Sequence, residues 1–288
     1  MNKALHTTEA IEILPDGRCM SYCDYGHPDG IPIFQFHGTP GSRIFGLDSE
    51  EVSAAGLRIL SPERPGYGKS SPNPDAVAVA DWVHDIQMLA DQLNLDRFHV
   101  LGVSGGGPFA LACAALLPQR VITATVVASP APMTTTGFWT GLSVVNRMVF
   151  FISRYVTVLL PLLCTAMAAL LKDSGEASTH QGEAFRQGGI GLKTDLKLIT
   201  KNWNFLPESI RVPVYWWHGG HDNLASPAAG KELAKIIPSC EPHFEPTCGH
   251  FIHRDPVIAQ KILDRLLAAP VFRTQEQTDT AQKIVLRR

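Results

Sequence analysis

Apolar residues along the chain fall into short continuous runs, and between the runs they recur at three- and four-residue intervals. The runs predict strands at Ile11 to Leu14, Cys19 to Tyr25, Ile31 to His37, Leu57 to Leu60, Phe98 to Val103, Val121 to Ala128, Val212 to His218 and around His243 to Glu245. Several are apolar without alternation, as parallel strands covered on both faces should be. Helical spacing predicts helices at Ala76 to Leu93, Gly105 to Leu117, Pro227 to Ile237 and Pro256 to Leu267, each following a strand as in a right-handed crossover. The first two runs, joined across Pro15-Asp16-Gly17, form an expected antiparallel hairpin.

The rhythm stops at about Pro132 and resumes after Leu206. In between no strand signal appears and the apolar content rises, which predicts a helical insertion. Tyr155 to Leu171 carries no charge but is 17 residues long and contains Pro161, short of a membrane span, so no span is expected. The expected organisation is an α/β core of residues 1–131 and 207–269, a helical cap of 132–206 laid over a pocket, and a polar tail of 270–288 on the surface or disordered.

Composition narrows the classes. With 288 residues and 45% hydrophobic content, one α/β domain with an insertion fits better than two domains or a disordered chain. A formal charge of −2 gives no footprint for nucleic acid. The polar opening MNKALHTTEAIEILPDG is no signal peptide, so a cytoplasmic location is expected, and the six scattered cysteines read as thiols without metal spacing.

The sharpest local motif is Gly102-Val103-Ser104-Gly105-Gly106, which follows an apolar strand and opens a helix. A nucleophile elbow requires that context: a tight strand-to-helix turn forces the serine into a strained conformation and tolerates only small neighbours. A plain glycine-rich turn is the bland alternative. Gly105, Gly107 and Ala110 also fit a dinucleotide fingerprint, but the next strand ends in Ala128-Ser129-Pro130, without the carboxylate that would hold a ribose. Gly68-Lys69-Ser70 resembles the end of a phosphate loop whose first glycine is replaced by Glu63. The segment Glu63 to Gly68 therefore reads as a structural turn.

A serine hydroxyl needs a base, and the base needs an orienting carboxylate. His250, past the last strand, and Asp222, past the strand ending in His218, follow Ser104 in the chain order expected for that turn, and all three lie beyond carboxyl ends of strands. His221 adjoins the acid too closely, His253 lies toward the final helix, and Asp255 reads as a helix N-cap before Pro256. Oxyanion donors are expected from the backbone N–H of Gly105 and of Thr39 in His37-Gly38-Thr39-Pro40-Gly41, with His37 as a structural side chain.

Five motifs in this order, HGTPG, RPGYGKS, GVSGG, HGGHD and CGH, resemble those of the α/β-hydrolase superfamily over about residues 9 to 268. The resemblance implies a mostly parallel eight-stranded sheet flanked by helices and a cofactor-free serine hydrolase with no metal. Ser104 argues against the dehalogenase and epoxide hydrolase branches, which use Asp there. Glu63 stands where the family more often has Asp, which leaves one local contact in doubt. The segment Ala184 to Gly191, followed by Asp195 and Trp203, resembles a cap-end pattern of the superfamily.

In the cap, Phe138, Trp139, Met148, Phe150, Phe151, Tyr155 and Met167 supply apolar surface suited to a bulky hydrophobic ester or lactone, and all of these but Phe150 are the expected substrate contacts, although packing of cap helices on each other would use the same residues. A looser likeness is to serine esterases that open macrolide lactones, which would imply antibiotic resistance. The leading expectation is hydrolysis of a small-molecule carboxylic ester or lactone through an acyl-enzyme. The alternatives are carbon–carbon bond hydrolysis on the same residues and a receptor-like module that binds a small molecule.

Overall fold

The computed structural model describes residues 6–44, 52, 55–171 and 178–268, so the expectation for the 270–288 tail lies outside the described residues. The chain lays down β1 (His6–Ile13), β2 (Cys19–Gly26), β3 (Ile31–Phe36), β4 (Leu57–Pro62), α1 (Trp82–Gln92), β5 (Phe98–Val103), α2 (Gly107–Leu116) and β6 (Val121–Val127). The insertion follows as α3 (Val144–Tyr155), α4 (Leu160–Leu171), α5 (Ser178–Ala184) and α6 (Ile190–Ile199). The chain then returns to the core with β7 (Val214–Gly219), α7 (Pro227–Ile236), β8 (Cys240–Glu245) and α8 (Pro256–Ala268).

The eight strands form one sheet in the order β1-β2-β4-β3-β5-β6-β7-β8, antiparallel at the first two pairings and parallel from there on. The expected elements are present with shifted ends. β1 begins at His6 rather than Ile11 because all eight of its residues pair with β2. α1 begins six residues later than the spacing suggests, because Asp81 Oδ2 accepts the backbone N–H of Val77 and Ala78 and holds that stretch in a turn. Asp255 does cap α8, accepting from the amides of Val257 and Ile258.

Both faces of the sheet are covered. On one, Trp82, Ile86 and Leu89 of α1, Phe109 of α2 and Leu233 of α7 pack on Phe34, Phe98 and Trp216. On the other, Ile258, Ile262 and Leu266 of α8, spaced four apart, pack on Ile33, Leu101 and Trp217. The helices of the insertion have an apolar cluster of their own, built on Val149, Leu160, Cys164, Phe185, Leu192 and Leu196.

Among the described residues no single helix is long and apolar enough to cross a membrane. The α3 helix and the segment Thr157–Leu171 pass by length and composition only as a pair, bent by 109°.

Candidate active site

The turn after β5 is set by steric exclusion. Ser104 sits at φ 53°, a left-handed conformation that costs a side-chain-bearing residue about 1–2 kcal/mol. The glycines around it make the turn possible: a Cβ on Gly102 would stand 2.5 Å from the Gly106 carbonyl oxygen, and one on Gly106 would run into that of Phe36. The strain exposes the Ser104 hydroxyl at the carboxyl end of the sheet, at the first turn of the helix that follows.

Parallel strands deliver the other groups to the same edge. The Ser104 hydroxyl lies 2.9 Å from His250 Nε2, in the loop after β8, and His250 Nδ1 lies 2.8 Å from Asp222 Oδ2, in the loop after β7. A carboxylate only accepts, so the His250 proton is on Nδ1 and Nε2 is left to accept from the serine. Asp222 is buried, which alone would raise its pKa. Hydrogen bonds from His218 and His250 and from the Ala225 amide outweigh that and hold it well below the usual carboxylate range.

His218 is the partner that sequence reasoning left unassigned. Its Nδ1 accepts from Trp216 Nε1 at 3.3 Å, and indole nitrogen is a donor only, so His218 carries its proton on Nε2, between the Ala225 carbonyl oxygen at 3.2 Å and Asp222 Oδ2 at 3.1 Å. Asp222 Oδ1 takes the amides of Leu224 and Ala225 at 2.8 and 3.0 Å. The carboxylate is thus clamped on both oxygens, with one lone pair directed at His250. The spacing His218 to Asp222, across a strand end and tight turn, was the only available sequence signal for this contact.

Thr39, after β3, and Gly105 are brought together beside Ser104. A Cβ on Gly105 would lie 3.1 Å from the Thr39 backbone nitrogen and press into its Oγ1, and a Cβ on Gly38 would lie 3.4 Å from that of Ser104. The Thr39 hydroxyl donates to Asp195 Oδ2 of α6 at 2.5 Å. The same oxygen accepts from Tyr67 Oη at 3.0 Å and from Arg64 Nη2 at 2.7 Å, while Arg64 Nε reaches Asp195 Oδ1 at 3.0 Å. Arg64 also donates to the carbonyls of His37 and Gly38. A buried ion pair therefore ties the insertion to the loop that carries Thr39.

The turn at Glu63 is structural, as read. Its buried carboxylate accepts from Arg43 Nη1 at 2.7 Å and from the Lys69 amide at 2.9 Å, which resolves the contact that the departure from Asp had left open. His37 is buried too, and burial and then the adjacent Arg64 guanidinium keep its imidazole neutral.

Above Ser104 opens a chamber of about 340 Å³ between the sheet edge and the insertion. Val149, Phe150, Met167, Leu192, Leu196 and Ile199 give it apolar walls, and Asn146, His180, Gln181, His253 and Arg254 add polar groups. Burial, and then repulsion by Arg254, push the His180 and His253 imidazoles down to about 4, so both are neutral near pH 7. Among the described residues no Asp or Glu lines this chamber, and no His, Cys, Asp or Glu cluster among them is arranged to hold a metal ion.

Of the six expected substrate contacts, Met167 lines the chamber and five do not. Phe138 is buried in the main core with Trp139 against it, the rings edge to face at 5.1 Å. Met148, Phe151 and Tyr155 lie on the outer side of α3 and are more than half exposed. The helix is apolar on two faces, so composition could not say which one looks inward; Val149 and Phe150 do. His221 is exposed.

A profile of the alpha/beta hydrolase family matches residues 36–259. A probable proline iminopeptidase of Leptolyngbya boryana is 32% identical over 103 residues, 35% of this chain and 32% of that protein. A 2-hydroxy-6-oxononadienedioate/2-hydroxy-6-oxononatrienedioate hydrolase of Cupriavidus pinatubonensis is 25% identical over 232 residues, 74% of this chain and 77% of that one. The match thus spans about a third of the length of the iminopeptidases, and more of the second relative. An esterase of Exiguobacterium antarcticum has the same fold, with a TM-score of 0.70 at 19% identity over 91% of this chain and 98% of that one.

Proposed function

The chain belongs to the alpha/beta hydrolase family, and on that premise we propose that it hydrolyses a carboxylic ester or lactone through an acyl-enzyme on Ser104, with 132–206 as the cap that shapes the substrate chamber. The observation carrying this reading is the bonded series from the Ser104 hydroxyl through His250 to Asp222, at 2.9 and 2.8 Å.

His250 takes the Ser104 proton as the oxygen attacks the carbonyl carbon. The backbone N–H groups of Gly105 and Thr39 stabilise the oxyanion of the tetrahedral intermediate. His250 then protonates the leaving alkoxide, and the acyl group stays on Ser104. Water, deprotonated by the same imidazole, releases the acid. Asp222 holds the working tautomer and stabilises the imidazolium, and His218 keeps Asp222 in place.

The walls of the chamber select for apolar acyl or alcohol groups. An iminopeptidase substrate carries a free cationic amine, for which the described lining of the chamber supplies no carboxylate. The Cupriavidus relative favours a second reading, cleavage of a carbon–carbon bond beside a ketone, in which the same serine and base act on a carbonyl with a carbanion as leaving group. A nitrophenyl ester and a vinylogous diketone, turned over side by side, separate the two.

The test of the leading reading is a fluorophosphonate probe followed by ester turnover. One equivalent of label on Ser104 and multiple turnover of nitrophenyl butyrate are expected. Folded protein that takes no label overturns the mechanism; label without turnover points to a receptor.

The Thr39 hydroxyl acts through position rather than contact. Thr39→Val keeps the backbone N–H and removes the hydroxyl's bond to Asp195 together with the 3.3 Å bond it accepts from Arg64 Nη2, so kcat should fall about tenfold, within the range that a small misplacement costs, with KM nearly unchanged. Thr39→Ser, which restores the hydroxyl, should recover most of the loss. Equal kcat for Val and Ser variants would show that the bond only serves stability.

A further inference from the structure

The outer side of the insertion is apolar where a soluble domain would be polar. On α3 the residues Val144, Met148, Phe151 and Tyr155 follow one another at i, i+4, i+7 and i+11, one stripe pointing away from the chamber, and all are more than half exposed. The turn and helix that follow continue it: Val158 is 81% exposed, Leu162 71% and Leu170 78%. The inner side of these helices is already used, since Val149, Leu160, Cys164 and Ala168 are buried in the insertion's own cluster. Among the described residues nothing covers the outer side. Such a contiguous apolar face marks a contact surface.

Charge identifies the contact. Residues 132–206 hold seven Lys and Arg against four Asp and Glu, a net charge of +3, while the rest of the chain holds 18 against 23, net −5. From Val144 to Leu171 the only charged residues are Arg147 and Arg154, both exposed. Neither forms an ion pair among the described residues, and Arg154 lies over the Tyr155 ring at 5.7 Å. The acidic side chains described in this segment are spent internally, Asp195 on Arg64 and Glu183 on Arg43. An apolar stripe flanked by free arginines, with Phe and Tyr at its edge, is the composition of a helix that lies in a bilayer interface. The 109° bend between the two helices suits two arms resting on a surface rather than a straight span.

We infer that the outer face of α3 and α4 docks on an anionic lipid surface, with arginines at the headgroups and the Val144 to Leu170 side chains at the acyl boundary. The same two helices wall the chamber from within through Phe150 and Met167, so docking sets the chamber beside the phase in which an apolar ester dissolves. The inference does not depend on the hydrolytic reading, because binding is measured without turnover.

The experiment is co-sedimentation of the full chain with phosphatidylcholine vesicles, with and without phosphatidylglycerol. Binding should be at least tenfold tighter with the anionic lipid and should weaken as salt is raised. Val158→Glu with Leu162→Glu should lower it at least tenfold, with Tm and hydrolysis of a soluble short-chain ester unchanged, since neither residue lines the chamber. If that pair does not fold, Arg147→Glu with Arg154→Glu, which leaves the stripe intact, should abolish the preference for the anionic vesicles. Wild type that stays in the supernatant with both vesicles overturns the inference. So does a folded Glu pair that binds like wild type, or a solution dimer that the Glu pair dissociates, which would assign the face to a second copy.

Discussion

Ser104→Ala is expected to lower kcat for ester hydrolysis by on the order of 10^6-fold while leaving KM within a small factor, measured with active-site titration to exclude wild-type contamination. The size follows from the division of labour in the site. Without the hydroxyl no acyl-enzyme forms, and His250 and Asp222 have no attacking group to activate. What remains is the pair of backbone donors at Thr39 and Gly105 together with the chamber, which in comparable sites retains about 10^3- to 10^4-fold over water. The fold should survive, because alanine accepts the φ of 53° no worse than serine does, and the elbow is dictated by the glycines rather than by the hydroxyl. A variant that keeps a tenth of wild-type activity would mean that another group is the nucleophile.

Asp222→Asn should lower kcat by about 10^4-fold, through the tautomer rather than through lost contact. The Leu224 and Ala225 amides, at 2.8 and 3.0 Å, fix the remaining carbonyl oxygen on their side. The amide nitrogen then faces His250 and donates to Nδ1. That moves the imidazole proton to Nε2, where it points at Ser104 and cannot accept from it. His218 loses its contact with the carboxylate in this variant and keeps the Ala225 carbonyl oxygen, 3.2 Å from its Nε2, as acceptor. Proton resonances of the His250 ring would show the exchange of tautomer directly. Loss of activity with the Nδ1 proton still in place would refute this account.

The elbow and the order of serine, acid and histidine were legible in the chain because each depends on local geometry. A strand running into a helix through Gly102, Ser104 and Gly106 has few other ways to turn, and the carboxyl ends of parallel strands share one edge of the sheet whatever the loops contain. The starts of β1 and of α1 were less legible. Strand pairing and the Asp81 side chain, rather than apolar spacing, decide where those elements begin.

By itself, then, the sequence determined the layered α/β architecture, the strained turn at Ser104 and the chain positions of Asp222 and His250. Tertiary structure decided the rest. The bond from Thr39 to Asp195 joins residues 156 positions apart and the pair of Arg64 with Asp195 joins residues 131 apart, so no local pattern announces either. It also decided that Phe150 rather than Phe151 looks into the chamber. A helix with apolar residues on two sides, and Arg147 and Arg154 beside them, does not say which side turns inward, and its rotation is chosen by what it packs against.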